Sequence, residues 1–332
     1  LDQYAESNSW IKKVRCYGKF YIEVGVDEDS LVESEKKLSD LLKLPSGESG
    51  VEVLVEVLRS EGFDDLKIGL DEGGVAYHVF TELKEKLPKA TLEPASKIFR
   101  EIRMVKTEEE VRRLRKAVEI TEKSFYLALE HACEGVSEIE FARIFEVNVV
   151  ESGGSPFLTM FGFGGRSAFP NCIPTNNRLR KGDVIRFDGG CMYQHYCSDI
   201  AFTVFFGKPG ERYKKYYRAL AEGVKRAIEI IRPGIKASEI FRVAVEHVKK
   251  HGIPHYKRHH CGHGIGVEVY DPPILRPVED TVLEEGMVLC VETPYYELGF
   301  GGLQVEKTIL VTSDDYEYLS TPLEDDLNLT VV

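Results

Sequence analysis

Long apolar runs are missing from this chain. No window of the 332 residues approaches the eighteen or so consecutive apolar positions of a membrane-crossing helix, and the opening LDQYAESNSW has no charged-then-apolar leader pattern. Excess positive charge is missing too. Lys and Arg number 43 against 55 Asp and Glu, a net charge of −12, so no basic stripe exists to displace counterions from a nucleic-acid backbone. Cysteines are few, seven without framework spacing, which suits reduced thiols better than disulfides. Phosphate loops are absent, because Gly153-Gly154, Gly164-Gly165 and Gly301-Gly302 open no helix with a Lys-Ser/Thr tail, and no Ser or Cys nucleophile elbow occurs. Only three Gln appear amid abundant Lys and Glu, a balance found in heat-adapted proteins. The expectation is a cytoplasmic protein with no nucleic-acid and no membrane partner. The chain begins at Leu1 rather than Met, so whatever precedes Leu1 lies outside this reading.

What is present is enough for two cores. The length exceeds that at which one core stops growing, and a hydrophobic fraction of 43% can fill a pair. Residues 1–105 read as a small α/β domain: an apolar run Phe20–Val24, helical patterns in SLVESEKKLSDLLKL, VEVLVEVLRSEGF and AYHVFTELKEKL, and a strand-like KIGL. Residues 106–332 read as an α+β domain. Capping boxes, Thr107 to Glu110 and Ser137 to Glu140, open two helices. Strand hairpins follow after residue 155, with a turn near Tyr193-Gln194-His195. Two amphipathic helices, about 211–231 and 237–250, precede further strands at 287–292 and 303–311.

The chemistry-bearing residues sit on those strands. Asp188 ends an apolar strand, where an unpaired carboxylate facing a core would cost several kcal/mol. Asp199 stands opposite on the returning strand, Glu292 ends Met287-Val288-Leu289-Cys290-Val291, and Glu306 lies on its partner. His263, between Gly262 and Gly264, adds an imidazole where missing side chains permit close approach. Any one of these acids is more often ion-paired than a ligand. Together they form a hard-oxygen set with one nitrogen, suited to one or two divalent ions such as Mn, Fe, Co or Zn. Two such ions could activate a water for attack on an amide carbonyl.

The order Asp188, Asp199, His263, Glu292, Glu306, set in FDGG, SDI, GHGIG, VETPYY and QVEK, resembles the creatinase, prolidase and methionine aminopeptidase superfamily, the pita-bread metallohydrolases. The closest likeness is to the Xaa-Pro dipeptidase and aminopeptidase branch, whose extra N-terminal α/β domain corresponds to residues 1–105, without its first strand and helix. The resemblance implies a pita-bread catalytic domain, a homodimer, and a two-metal centre that hydrolyses the bond before proline in a short peptide. It further implies that Asp199 and Glu306 bridge the metals, that Asp188 chelates one, and that His263 and Glu292 hold the other. Glu292 would also relay the proton of the attacking water.

Three supporting positions test that likeness. His259 matches the family's histidine four residues before the metal histidine, whereas Asn171 and Tyr270 replace two others. Asn donates but takes no proton near neutrality, and Tyr, with an ordinary pKa of about 10, still donates. Orientation and oxyanion stabilisation survive those exchanges; imidazole proton transfer there does not. Phe202 and Gln304 stand where the family has Arg, and Lys307 where it has Asp, so the contacts behind the ligands must differ. Three functions follow: a proline dipeptidase with unusual support, a hydrolase of another small C–N substrate, or a binding module retaining the ligands.

Smaller signals have plain readings. Cys197, Cys261 and Cys290, each two residues before a proposed ligand, are expected as buried fillers. His260 is expected on the face opposite His259 if that segment is extended, and His195 at an exposed turn. Phe157, Phe161, Phe163, Phe169, Tyr295, Tyr296 and Phe300 fall in segments bordering the site, as a substrate wall or as core.

Overall fold

Thr107 and Ser137 each accept a hydrogen bond from the amide three residues on, and Glu110 and Glu140 in turn each accept one from the cap residue's N–H. These reciprocal caps start the first long helices of the computed structural model, which describes residues 9–11, 13–44, 46–323 and 330–332. The chain divides into one compact unit ending at Phe99 and another running from Arg100 to Val332.

The first unit is α/β. Lys67–Leu70 pairs in parallel with Thr91–Pro94, and Cys16–Tyr17 with Ser46–Gly47. Helices Glu33–Leu42, Gly50–Ser60 and Tyr77–Lys86 accompany them, with Val55, Leu83 and Leu87 as the core. The run 20–24 lies outside any helix or strand, with Phe20 and Tyr21 77% and 84% exposed. An apolar run becomes a strand only where a neighbouring strand takes its hydrogen bonds.

The second unit has two helix-backed sheets. Helices α1 (Glu108–Leu129) and α2 (Glu138–Glu151) lie behind β1 (Ser155–Phe163), β2 (Val184–Tyr193) and β3 (Ile200–Phe205), which pair antiparallel. Phe125, Phe141, Phe145, Phe161 and Phe187 fill the space between; of the aromatics expected to border the site, Phe161 and Phe163 are core, whereas Phe157 and Phe169 are exposed. Helices α3 (Glu211–Ile228) and α4 (Ala237–His251) back the second sheet, ordered β5 (Asp271–Ile274), β4 (Gly262–Gly264), β6 (Val288–Glu292), β7 (Glu306–Val311), β8 (Tyr316–Tyr318). Leu289, Val291, Ile309 and Val311 join the helix side of that core.

Alternation along each strand decides what the other face carries. Phe187 enters the helix-side core, so its neighbours Arg186 and Asp188 face away from it. Leu289 and Val291 do the same for Cys290 and Glu292, and Ile309 for Thr308 and Glu306. Those polar faces meet: Thr203 Oγ1 donates to Gln304 O at 2.8 Å, and Thr308 Oγ1 to Asp199 O at 3.4 Å. Asp199 lies one residue ahead of β3, and Ala201 rather than Asp199 pairs with Asp188. Here two main chains touch, because a Cβ on Gly190 would collide with the Ser198 carbonyl oxygen. Gln194 and His195 take φ of 46° and 71° in the β2 hairpin turn, the two left-handed centres of a type I′ turn.

One buried acid holds the loop between β1 and β2. Glu138, fully buried at the start of α2, accepts from Phe163 N at 3.1 Å, Thr175 N at 3.0 Å, Asn177 Nδ2 at 3.0 Å and Arg166 Nε at 3.0 Å. It thereby pins both ends of the segment that carries Asn171. Glu138→Ala is expected to lower unfolding stability by about 3 kcal/mol, since it strands Arg166 and several amide donors. An unchanged denaturation midpoint would show that the loop is held by something else.

Candidate metal centre

A cavity of about 300 Å³ opens between the two polar sheet faces. Its walls include Asp188, Asp199, Glu292 and Glu306 together with Asn171, Arg258, His259, His260, Tyr270, Tyr296 and Gln304. Glu292 pairs directly with Glu306 across β6 and β7, and His263 with Cys290 across β4 and β6. Like charges directly opposite in a sheet repel, so this register requires a counter-charge or a proton. His263 sits on a strand of glycines because a Cβ at Gly262 would strike the Cys290 carbonyl and one at Gly264 the Pro272 carbonyl. Gly262 also holds φ at 126°.

The atoms suit a divalent cation. Ligand atoms of Asp199, His263 and Glu306, all buried, lie within 4.8 Å of one another. His263 Nδ1 donates to the Gly264 carbonyl at 2.9 Å, which leaves the Nε2 lone pair facing Asp199 Oδ2 at 3.6 Å. Asp199 Oδ1 is buried with no hydrogen-bond partner. A buried, unpartnered carboxylate oxygen aimed among other acids fits metal ligation and little else.

Without a cation, protons take its place. Burial, then repulsion from Asp188 and Glu292, pushes the Asp199 carboxyl far above its ordinary value. Glu306 is raised the same way by burial and by Asp199, Glu292 and Asp188, and burial with Asp188 lifts Glu292 to about 7. Asp188 is raised by burial despite Arg186 beside it. Burial also drops His263 to about 4, keeping its imidazole neutral as a ligand must be. The thiols are not ligands in waiting: burial lifts Cys197 to about 11, and Cys261 and Cys290 rise further.

Arg186 carries the support that the exchanged residues do not. Wholly buried, it donates Nε to Ser167 O at 2.8 Å, Nη1 to Gln304 Oε1 at 2.9 Å and Asp188 Oδ2 at 3.4 Å, and Nη2 to Phe169 O and Pro170 O. Every guanidinium donor is used, and one side chain ties an acid of the centre to the loop before Asn171. Gln304 passes the link on, donating Nε2 to Glu292 Oε2 at 3.2 Å. Phe202 stacks on Phe125 at 4.3 Å, and Lys307 Nζ lies 5.7 Å from the Phe202 ring centroid. A cation–π contact thus stands at positions where the resemblance implies an Arg and an Asp.

The rim departs from expectation at His260. It is buried, with Nδ1 3.3 Å from Glu292 Oε1, not turned away, because the chain bends at His259 and only Gly262–Gly264 is extended. Period-two reasoning fails where the strand has not begun. His259 is exposed, its ring 4.3 Å from that of His260. Tyr270 stacks flat on His263, centroids 3.9 Å apart, and its hydroxyl is held protonated by burial and the surrounding acids. Asp271 is fully buried and takes Arg103 Nη2 at 2.8 Å, with Lys106, pushed down to about 8 by burial, close by. Asn171 lies exposed at the rim, and Tyr296 is the bordering aromatic that reaches the cavity.

Residues 112–313 match the model of metallopeptidase family M24, and residues 14–105 that of the creatinase/prolidase N-terminal domain. The chain belongs to metallopeptidase family M24. An Xaa-Pro dipeptidase of Pyrococcus furiosus is 34% identical over 251 residues, 75% of this chain and 72% of that protein. An Xaa-Pro dipeptidase of Pyrococcus horikoshii is 35% identical over 262 residues, 78% of this chain and 74% of its own. The solved Xaa-Pro dipeptidase from Bacillus anthracis superposes with a TM-score of 0.80 at 29% identity, covering 90% of this chain and 84% of that one. An M24 catalytic domain of pita-bread fold and divalent-metal hydrolase chemistry follow from this membership.

The raised carboxyls give this candidate centre a defined pH response. Their folded pKa values exceed the unfolded ones, so the metal-free centre loses stability as pH rises from the unfolded value near 4 through the folded value, about 7 for Glu292. A bound cation removes that penalty. The gap in Tm between metal-loaded and chelator-treated protein is expected to widen from pH 5 to pH 8, read by scanning calorimetry. A gap independent of pH would mean that the acids do not titrate together at the metal site.

Proposed function

We propose that the chain is an Xaa-Pro dipeptidase acting through two divalent ions, Mn, Co, Fe or Zn, held by Asp188, Asp199, His263, Glu292 and Glu306. The orphaned Asp199 Oδ1 amid buried acids carries this reading. Asp199 and Glu306 would bridge the ions, with Asp188 on one and His263 and Glu292 on the other. When bound, the ions polarise the scissile carbonyl and make water a nucleophile at neutral pH. The remaining work falls to side chains. Glu292, steadied by Gln304, takes the proton of the attacking water and returns it to the leaving nitrogen. Tyr270, Asn171 and His259 donate hydrogen bonds from the rim to the substrate carbonyl and its developing charge.

The cavity favours a small substrate with a free carboxylate. At about 300 Å³ it lies at the lower end of ligand pockets, which run roughly 300–1,000 Å³. Arg258 stands on its wall, 5.6 Å above the Tyr296 ring, with Nε buried and without a hydrogen-bond partner. A dipeptide's carboxylate would satisfy that guanidinium bidentately. The functional division of the chain is placed at 105/106, a homodimer follows from the family resemblance, and seven free thiols suit a reducing, cytoplasmic setting. One observation favours a different small C–N substrate: the aromatic stack of Tyr270 on His263 stands where the related peptidases use a histidine.

Chelation should abolish hydrolysis, Mn or Co should restore it, and Asp188→Asn should bind less metal. Turnover compared across Xaa-Pro dipeptides, longer Xaa-Pro peptides and non-proline amides should be fastest for the dipeptides. Asn171→His with Tyr270→His should raise that rate, and absence of any Xaa-Pro cleavage by the metal-loaded enzyme would transfer the assignment to the non-peptide substrate. Arg258→Met should remove about 1.5–3 kcal/mol of binding, a roughly ten- to hundredfold rise in KM for dipeptides, with little change for C-terminally amidated ones. Equal effects on both substrates would remove Arg258 from carboxylate recognition.

A further inference from the structure

Away from the acidic cavity, α3 and α4 approach unusually closely. A Cβ on Gly223 would collide with Val248 Cγ2 and come within 3.0 Å of Ala244 O, so glycine is what lets the two helices touch there. That contact sets Glu222 of α3 beside His247 and His251 of α4, two histidines one turn apart and therefore on one helix face. Ligand atoms of the three lie within 4.8 Å of one another. His251 Nδ1 donates to the His247 carbonyl at 2.8 Å, which fixes the tautomer and leaves Nε2 as a lone pair 3.9 Å from Glu222 Oε1. That is too long for a hydrogen bond and wide enough for an ion between. His247 Nδ1 is buried with no partner. Arg226 Nε holds Glu222 Oε1 at 2.8 Å, orienting the carboxylate. Backbone or carboxylate contacts that orient a ligating group are typical of metal sites.

We propose that Glu222, His247 and His251 form a second metal site, separate from the M24 centre, that takes one borderline cation of the Zn²⁺ class and ties α3 to α4. Two imidazoles and one carboxylate favour Zn²⁺, Cu²⁺ or Ni²⁺ over Mg²⁺ or Ca²⁺. Three protein ligands leave a coordination position for water. None of the three residues lines the acidic cavity, so hydrolysis does not depend on them.

The test is Zn²⁺ stoichiometry by equilibrium dialysis, comparing the full chain with a His247→Ala/His251→Ala variant at low-micromolar free Zn²⁺. The variant should bind one Zn²⁺ per chain fewer, should lose the part of the Zn²⁺-induced rise in Tm that the wild type shows beyond it, and should keep its Mn-loaded hydrolytic rate. Glu222→Gln, which preserves the helix contact, should weaken that one equivalent about ten- to hundredfold. Equal stoichiometry and equal Tm shifts in all three proteins would overturn the proposal. Because the readout is bound metal, failure of the dipeptidase assignment would not alter it.

Discussion

Glu292 and Glu306 face each other across paired strands; burial raises the pKa of both, Asp188 adds to both shifts and Asp199 to that of Glu306. Four acids converging on one cavity, three of them buried, cannot all be charged unless a cation lies among them. This constraint organises the second unit. The two sheets turn their helix-bearing faces outward because Phe187, Leu289, Val291 and Ile309 must be buried, and the alternate positions then deliver acids from both sheets to one space. The fold gains nothing from that convergence without metal or protons, so the arrangement points to chemistry rather than stability.

Charge balance behind the acids is achieved by an unexpected route. Arg186, two residues before Asp188 and therefore on its face, spends every donor within this region, binding an acid, a glutamine and three carbonyls of one loop. A single buried cation therefore couples the geometry of the acidic centre to the position of the rim. Glu138 holds the same loop from the opposite side by a surplus of donors on one carboxylate. Asn171 is exposed, yet the backbone that presents it is fixed at both ends.

Much of this was legible in the sequence because the relevant signals are local and periodic. Capping boxes at Thr107 and Ser137 located two helices, and carboxylates set on otherwise apolar strands marked Asp188, Glu292 and Glu306. What escaped depends on contacts between segments distant in sequence. Arg186 reads as an ordinary strand arginine until Gln304, 118 residues away, and the 167–170 loop are brought to it. His260 escapes because a bend at His259 breaks the alternation, and the glycine at 262, which takes a left-handed φ, is the signal in the sequence that the segment is not a regular strand. Phe20–Val24 escapes for the converse reason: an apolar pattern is present, and among the described residues no strand pairs with it.

The histidine segment shows how function and fold divide a short stretch between them. His263 is positioned by two glycines whose carbonyl neighbours would exclude any side chain, and its tautomer is fixed by its own backbone. Tyr270 returns to cover that ring, and Asp271 immediately after it is buried against Arg103, so the aromatic lid is anchored by an ion pair one residue away. A histidine at position 270 could exchange protons near neutrality; a tyrosine there hydrogen-bonds without changing its protonation state, while it covers one face of the imidazole. Proton transfer, which such a tyrosine does not share near neutrality, would under the proposed function fall to Glu292, whose two oxygens are each faced by a polar side chain, Gln304 on one and His260 on the other.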